Sequence, residues 1–308
     1  MKLCFYNLFQ IGDIYFSSFF IKAICESNKD MNFYYYFKNG DIYFKNIENI
    51  KRINTIEEYT DNHVSGISKT ENLINNDILN LLKCNMDNIG AQLLNINNEK
   101  ILFINTWCMS KYLLHLEYDI VSAMSSYRNC IQKINNDFNL NIKYDVNCKE
   151  LLKNTHYNVY SNKYQNISYD ETTLIFNYIP HSCNNYNMHH LNNYIKELSK
   201  TTKIILTCYN IMFKDNPNIS FIDNDYNIIP NSSCSNLVEI WEIAIKCNKI
   251  IIIPSGCSWT FFHKIHEIKE NQLFFFMDNV YSNRFSNVLN NSINTLLSEN
   301  KFLIKLIS

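Results

Sequence analysis

Ile250-Ile251-Ile252-Ile253-Pro254-Ser255-Gly256-Cys257-Ser258-Trp259 runs four isoleucines into a small-residue loop, and a helix is predicted to start at once, over Ser258 to Ile268. Four consecutive apolar β-branched residues read as a strand covered on both faces. A helix that begins directly after such a strand exposes its first N–H groups at its positive end, which suits an anion. Gly256 lets a phosphate approach the backbone closely, and Ser255 and Ser258 add hydroxyl donors. The alternative is an ordinary strand–turn–helix junction in which Ser258 caps the helix. Glycine is scarce in this chain, with 5 in 308 residues, and one of them stands here.

On either side of this stretch, strands and helices alternate. Strands are predicted at Thr173–Ile179, Lys203–Cys208, Ile219–Ile222, Lys249–Ile253 and Leu273–Met277. Helices are predicted at His189–Lys200, Asn236–Cys247 and Asn287–Leu297, with Leu237, Ile240, Trp241, Ala244 and Ile245 marking one face of the second. That alternation implies an α/β fold with a parallel, doubly wound sheet, whose ligands bind beyond the carboxyl ends of the strands.

The first half carries fewer signals. Leu3–Tyr6 reads as a first strand, Ile14–Cys25 as an apolar helix opened by Asp13, Ile101–Thr106 as a strand and Glu117–Ile134 as a long helix. Asn39-Gly40 between Asn32–Phe37 and Asp41–Phe44 is a hairpin signal. Residues 46–99 are polar and carry no clear period. Residues 135–170 are Asn-rich, with one irregular helix near Cys148–Lys153. The connection between two domains is placed there, giving an N-terminal domain over 1–145 and a C-terminal domain over 146–308, as a length of 308 residues allows.

Composition narrows the function. Apolar residues make up 46%, charged residues only 19%, and the net charge is -1, so the basic excess of a nucleic-acid binder is missing. Asn, Ile, Lys, Tyr and Phe are abundant and Arg occurs only at Arg52, Arg128 and Arg284, which points to an AT-rich source such as a large DNA virus, a protist or an AT-rich bacterium. The 11 cysteines form no C-x-x-C pair, which favours free thiols in a reducing compartment over a disulfide framework or a zinc site. No run of about 18 apolar residues predicts a membrane span, and the N-terminus lacks a signal peptide's apolar region; the expected location is the cytoplasm, the host's if the source is viral. No G-x-S-x-G, H-E-x-x-H or Walker A sequence occurs.

Three further groups of residues bear on chemistry. Gly12-Asp13 forms a second strand–loop–helix junction, where Asp13 either caps the helix or takes a proton from a hydroxyl. His181 and Ser182 follow the first strand of the second half, and Thr207 ends the next. Glu239 can reach a ribose or close a capping box with Asn236. Asp223-Asn224-Asp225 is either a turn or a divalent-metal motif on a diphosphate.

Taken together, the chain resembles the GT-B glycosyltransferases, and its opening IGDIYFSSFFIKAI resembles the heptosyltransferase-like bacterial and viral group through Gly12 and Asp13. LIFNYIPHS is similar to the first strand and loop of a GT-B donor domain, and LVEIWEIAIKCNKIIIIPSGCSWTFF to the donor-site helix, strand and Ser-Gly loop. That family's donor loop usually carries Asp-Ser/Thr-Gly and then a histidine, where this chain has Pro-Ser-Gly-Cys-Ser-Trp, and Lys264 is the candidate for the basic residue that meets the diphosphate. The resemblance implies two Rossmann-like domains with a central cleft and metal-independent transfer of a sugar from a nucleotide-diphosphate donor to a glycan, lipid-linked or protein-linked hydroxyl. Asp13 would be the base. Gly12, His181, Ser182, Thr207, Glu239, Ser255, Gly256, Ser258 and Trp259 would hold the donor. No other cofactor and no metal is implied. The alternatives are a metal-dependent transferase using Asp223 and Asp225, and a non-catalytic sugar- or nucleotide-binding protein.

Overall fold

The computed structural model describes residues 1–8, 11–37, 41–44, 47–55, 71–84, 89–107, 110–113, 120–154, 169–177, 188–222, 240–253, 256–276, 291–292 and 305–307. The chain divides into two compact units, Met1–Asn154 and Thr155–Ser308.

The first unit runs β1 (Lys2–Asn7), α1 (Ile11–Ser27), β2 (Phe33–Phe37), α2 (Asp41–Phe44), β3 (Ile50–Thr55), β4 (Glu71–Ile74), α3 (Asn76–Cys84), β5 (Ala91–Ile96), β6 (Glu99–Asn105), α4 (Ile120–Phe138) and α5 (Cys148–Asn154). Its six-stranded sheet has the order β4-β3-β2-β1-β6-β5. All neighbours are parallel except the hairpin of β5 and β6. The turn of that hairpin is Asn97-Asn98, with φ of 51° and 66°. A two-residue turn that follows the natural strand twist needs positive φ at both positions, and Asn tolerates it.

The hairpin expected at Asn39-Gly40 does not form. Both edges of β2 are taken by parallel neighbours, β1 and β3, and Asp41–Phe44 is a helical turn. The polar 46–99 segment, which showed no period, contains β3, β4, α3 and β5. β4 and β5 lie at the two edges of the sheet, where a continuous apolar run is not required.

Helix α1 is buried nearly all round, and an apolar helix without a polar face belongs between other elements. Phe20 of α1 stacks on Tyr127 of α4, with centroids 4.4 Å apart and planes 6° apart. Asn49 Nδ2 donates to the carbonyls of Cys25 in α1 and of Asn28 and Met31 just beyond it, at 2.9, 2.9 and 3.2 Å, and so ties the end of α1 to the residue before β3.

Two contacts assign α5 to the first unit. The buried Lys22 donates from Nζ to the Asn154 carbonyl at 2.8 Å, and Asn154 Nδ2 donates to the Phe19 carbonyl at 3.2 Å. Burial holds the Lys22 ammonium well below its ordinary pKa, against the opposing pull of Glu26. The division between the two compact units falls after Asn154, inside the 135–170 stretch read as the connection.

The second unit runs β7 (Tyr169–Phe176), α6 (Met188–Leu198), β8 (Lys203–Leu206), β9 (Ile219–Phe221), β10 (Cys247–Ile252), β11 (Leu273–Phe276) and β12 (Lys305–Ile307). Its sheet has the order β12-β11-β10-β7-β8-β9, and every pair is parallel. A buried helical turn covers 240–244, and 3₁₀ turns cover Ile211–Phe213 and Gly256–Lys264. The helix expected over 258–268 thus starts earlier and is wound more tightly than an α-helix. The helix expected to reach Cys247 stops short, because Cys247 opens β10. Of the helix expected over 287–297, only 291–292 are described, and they are helical.

Both units are Rossmann-like. In each, the chain lays strands outward from a central one and then returns to its other side. β1, β2, β3 and β4 go one way and β6 the other; β7, β8 and β9 go one way and β10, β11 and β12 the other. The reversal leaves a crevice at the carboxyl ends of the two central strands, the usual ligand position of such sheets. In the first unit that point lies between β1 and β6, and in the second between β7 and β10.

Candidate functional site

In the second unit, Ile252 is level with Phe176 across the β10–β7 pair, so the two chains leave the sheet side by side, at Ile253 and Asn177. The helical segment Gly256–Lys264 then starts at the β10 end. Gly256 is its first residue, and Ser258 and Trp259 lie inside it, so Ser258 is not the cap.

The β7 end is closed by a side-chain clamp. Asn177 Nδ2 donates to the Cys208 carbonyl at 2.9 Å, and Asn177 Oδ1 accepts from the Cys208 N–H at 2.7 Å. The Thr207 hydroxyl accepts from the Asn177 N–H at 3.3 Å and donates to Asn177 Oδ1 at 3.2 Å. Thr207 is only 2% exposed, so its hydroxyl faces Asn177 and braces the edge from inside. Burial pushes the Cys208 thiol up to about 11, against the hydrogen bond from Thr207.

Behind the Gly256 end stands Trp241. Its ring stacks on Phe176, the last residue of β7, at 4.8 Å and 24°. Its Nε1–H donates to Thr260 Oγ1 at 2.8 Å. One side chain thus touches the end of β7 and the segment that follows β10.

Lys264, the basic residue named from the sequence, is engaged by carboxylates. Its Nζ lies 3.0 Å from Glu242 Oε1 and 2.8 Å from Glu267 Oε1. Burial works against its charge, but the hydrogen bonds to Glu267 and Glu242 prevail and raise its pKa. His263 Nε2 lies 3.7 Å from the same Glu242 oxygen. Burial is the main cause that lowers the His263 pKa, while His263 and then Lys264 hold Glu242 below its ordinary value.

In the first unit, α1 begins at Ile11, so Asp13 sits in its first helical turn rather than at the cap, and it is half-buried. A carboxylate there is favoured by the helix dipole. Gly12 is buried in the same turn. The β1 end is fastened to the β6 end by Thr106, whose N–H and Oγ1–H both donate to the Tyr6 carbonyl at 3.0 Å. Asn105 repeats the clamp of Asn177. Its Nδ2 donates to the Ile89 carbonyl at 3.0 Å, and its Oδ1 accepts from the Trp107 N–H at 3.0 Å. Gly90 beside it is required by space, because a Cβ there would stand 2.0 Å from Tyr112 Cγ.

Of the residues named from the sequence, Gly256, Ser258 and Trp259 fall together at the β10 end, and Thr207 follows β8, which is separated from β10 by β7. Gly12 and Asp13 fall at the switch point of the other unit. His181, Ser182, Ser255, Glu239, Asp223 and Asp225 lie outside the described residues. Sequence reasoning missed Asn177 and Asn105, whose signal was an Asn at the carboxyl end of a strand, the first just after β7 and the second the last residue of β6. It placed Trp241 on a core stripe and did not anticipate its hydrogen bond. Among the described residues, no group of three His, Cys, Asp or Glu side chains is placed to hold a metal, and no helix is long and apolar enough to cross a membrane.

No protein-family model and no curated protein matches the chain. Among solved structures, the E. coli heptosyltransferase WaaC with ADP is similar at 8% identity and a TM-score of 0.42, over 100% of this chain and 94% of that one. The same enzyme with ADP-2-deoxy-2-fluoro heptose is similar at 9% identity and a TM-score of 0.41, over 96% of each chain. At that level the likeness carries no argument about activity, and the fold assignment stands on the strand orders of the two sheets.

Proposed function

We propose that the protein is a GT-B-type glycosyltransferase that moves a sugar from a nucleotide-diphosphate donor to a hydroxyl acceptor without a divalent metal. The observation that carries this reading is the second sheet's strand order, with the Gly256 helix start placed at its switch point between β7 and β10. Oriented N–H groups there can neutralise the charge that develops on a leaving diphosphate. In a chain with only three arginines, Arg52, Arg128 and Arg284, backbone donors take a larger share of that work.

Asp13 is the proposed base. Its carboxylate accepts the acceptor hydroxyl's proton as the oxygen attacks the anomeric carbon, while the glycosidic bond to the diphosphate breaks and its electron pair leaves with the phosphate. His181, Ser182, Glu239 and Ser255 are proposed to complete the donor site. The acceptor is a glycan or a lipid- or protein-linked hydroxyl, and the cytoplasm is the proposed location.

The test is turnover of a panel of nucleotide sugars by wild type and Asp13→Asn, with and without chelator. A general base contributes about 10²–10⁴-fold, so Asp13→Asn should lose that much turnover while keeping donor affinity. Equal turnover in the two proteins would remove Asp13 from the mechanism. Activity that vanishes in chelator and returns with manganese would transfer the chemistry to a metal site. Donor binding without turnover in wild type would leave a binding protein.

A further inference from the structure

We propose that Trp241 and Thr260 are a positioning pair that sets the height and rotation of the helix start at Gly256. This rests on the reading that this helix start takes the diphosphate.

The Trp241 indole N–H donates to Thr260 Oγ1 at 2.8 Å, and both residues are 0% exposed. The two partners flank β10: Trp241 lies in the turn at 240–244 before it, and Thr260 in the Gly256–Lys264 helix after it. The bond therefore ties the turn that precedes β10 to the helix that follows it. The Trp241 ring also stacks on Phe176, which immediately precedes Asn177. Asn177 is in turn bound to Thr207 and Cys208. A line of contact thus runs from the β8 end through the β7 end to Trp241 and into the helix. Core packing alone explains a buried tryptophan, and Phe261 edges against the same ring at 6.2 Å. It does not require the directed bond, which fixes rotation where apolar contact allows sliding. The helix is also wound in the 3₁₀ manner for nine residues. Such runs rarely exceed three or four residues, so an external tie on its rotation has physical work to do.

The experiment measures the dissociation constants of ADP, UDP and GDP by calorimetry on the full chain, well below each variant's melting temperature. Thr260→Val removes the acceptor at nearly constant shape, Trp241→Phe removes the donor but keeps a ring, and Thr260→Ser keeps the hydroxyl. For whichever nucleotide wild type binds, Thr260→Val and Trp241→Phe should each weaken binding about tenfold, the scale of one buried hydrogen bond. The double variant should be no weaker than the worse single one, because both remove the same bond. Thr260→Ser should restore affinity to within about twofold. Lower melting temperatures with unchanged affinity, or failure of serine to rescue, would overturn the positioning role while leaving the donor site standing. Absence of binding by wild type to all three nucleotides would overturn the donor site itself, and this inference with it.

Discussion

In the first unit, α1 carries Tyr15, Phe16, Phe19 and Phe20, all fully or almost fully buried, into a core that also holds Phe5, Phe33 and Phe37. In the second, α6 lays Leu191 and Ile195 on a sheet of Ile175, Ile204, Leu206 and Ile251. The two sheets follow the same path around a switch point, but the first core is richer in rings and the second in branched aliphatic chains, with its rings gathered around Trp241, Phe176, Phe261 and Phe276. Rings meet at set angles, as Tyr15 and Phe19 do edge to face at 4.9 Å and 81°, whereas aliphatic packing depends mainly on area and shape. Stability in the first unit should therefore be concentrated in a few large side chains and in the second be spread over many small ones.

Truncation breaks or sharpens this contrast most directly. Phe20→Ala removes a ring stacked on Tyr127 and should cost about 3–5 kcal/mol. Ile204→Val in the second unit should cost only about 0.5–1.5 kcal/mol. Hydrogen exchange on both variants locates the loss. Phe20→Ala should strip protection from β1, α1 and α4 and spare β7–β11. Equal loss across both units would mean that they unfold as one body and that the contrast is only compositional.

Titration of His263 and Glu242 should act in the second unit, and more weakly. The folded His263 has a pKa below 6.5, so the unfolded chain binds more protons as pH falls through that value, and stability declines. Glu242, held below 4.5 in the fold, adds a further decline when pH falls below that value. Both signs agree, and both residues belong to the second unit. Melting temperatures between about pH 7 and pH 5 should fall, and His263→Gln should flatten that slope. An unchanged slope in His263→Gln would put the acid sensitivity elsewhere.

The same contrast explains what the sequence made legible. Strands β7, β8, β10 and β11 are short apolar runs of a parallel sheet covered on both faces, so Leu174-Ile175-Phe176, Ile204-Ile205-Leu206 and Ile250-Ile251-Ile252 announced themselves. β3 reads Ile50-Lys51-Arg52-Ile53-Asn54-Thr55 and β5 reads Ala91-Gln92-Leu93-Leu94-Asn95-Ile96, too polar to stand out. Their place comes from pairing partners rather than from their own residues.

Asparagine was the larger omission. Its abundance reads as genome bias and turn chemistry, but a carboxamide both donates and accepts, and so can stand in for a peptide group. Asn28 does so with Lys143, accepting its N–H at 2.7 Å and donating to its carbonyl at 2.8 Å. Asn135 does the same with Ile142. Asn105 and Asn177 place that device at the two switch points. Asn28 and Lys143 are 115 positions apart, beyond the reach of any local pattern. At the candidate site, the Gly256 loop and the Gly12-Asp13 junction were legible, while the groups that brace them were not.

The central claim is that the helix start at Gly256 receives a nucleoside diphosphate, and calorimetry of wild type against Gly256→Val tests it most directly. A side chain at Gly256 should crowd the approach of a phosphate to the backbone. The account predicts that wild type binds at least one of ADP, UDP and GDP, and that Gly256→Val loses most of that affinity while its melting temperature barely changes. Unaltered binding in a folded Gly256→Val protein would contradict it, leaving the loop as a structural turn and the glycosyltransferase reading without its donor site.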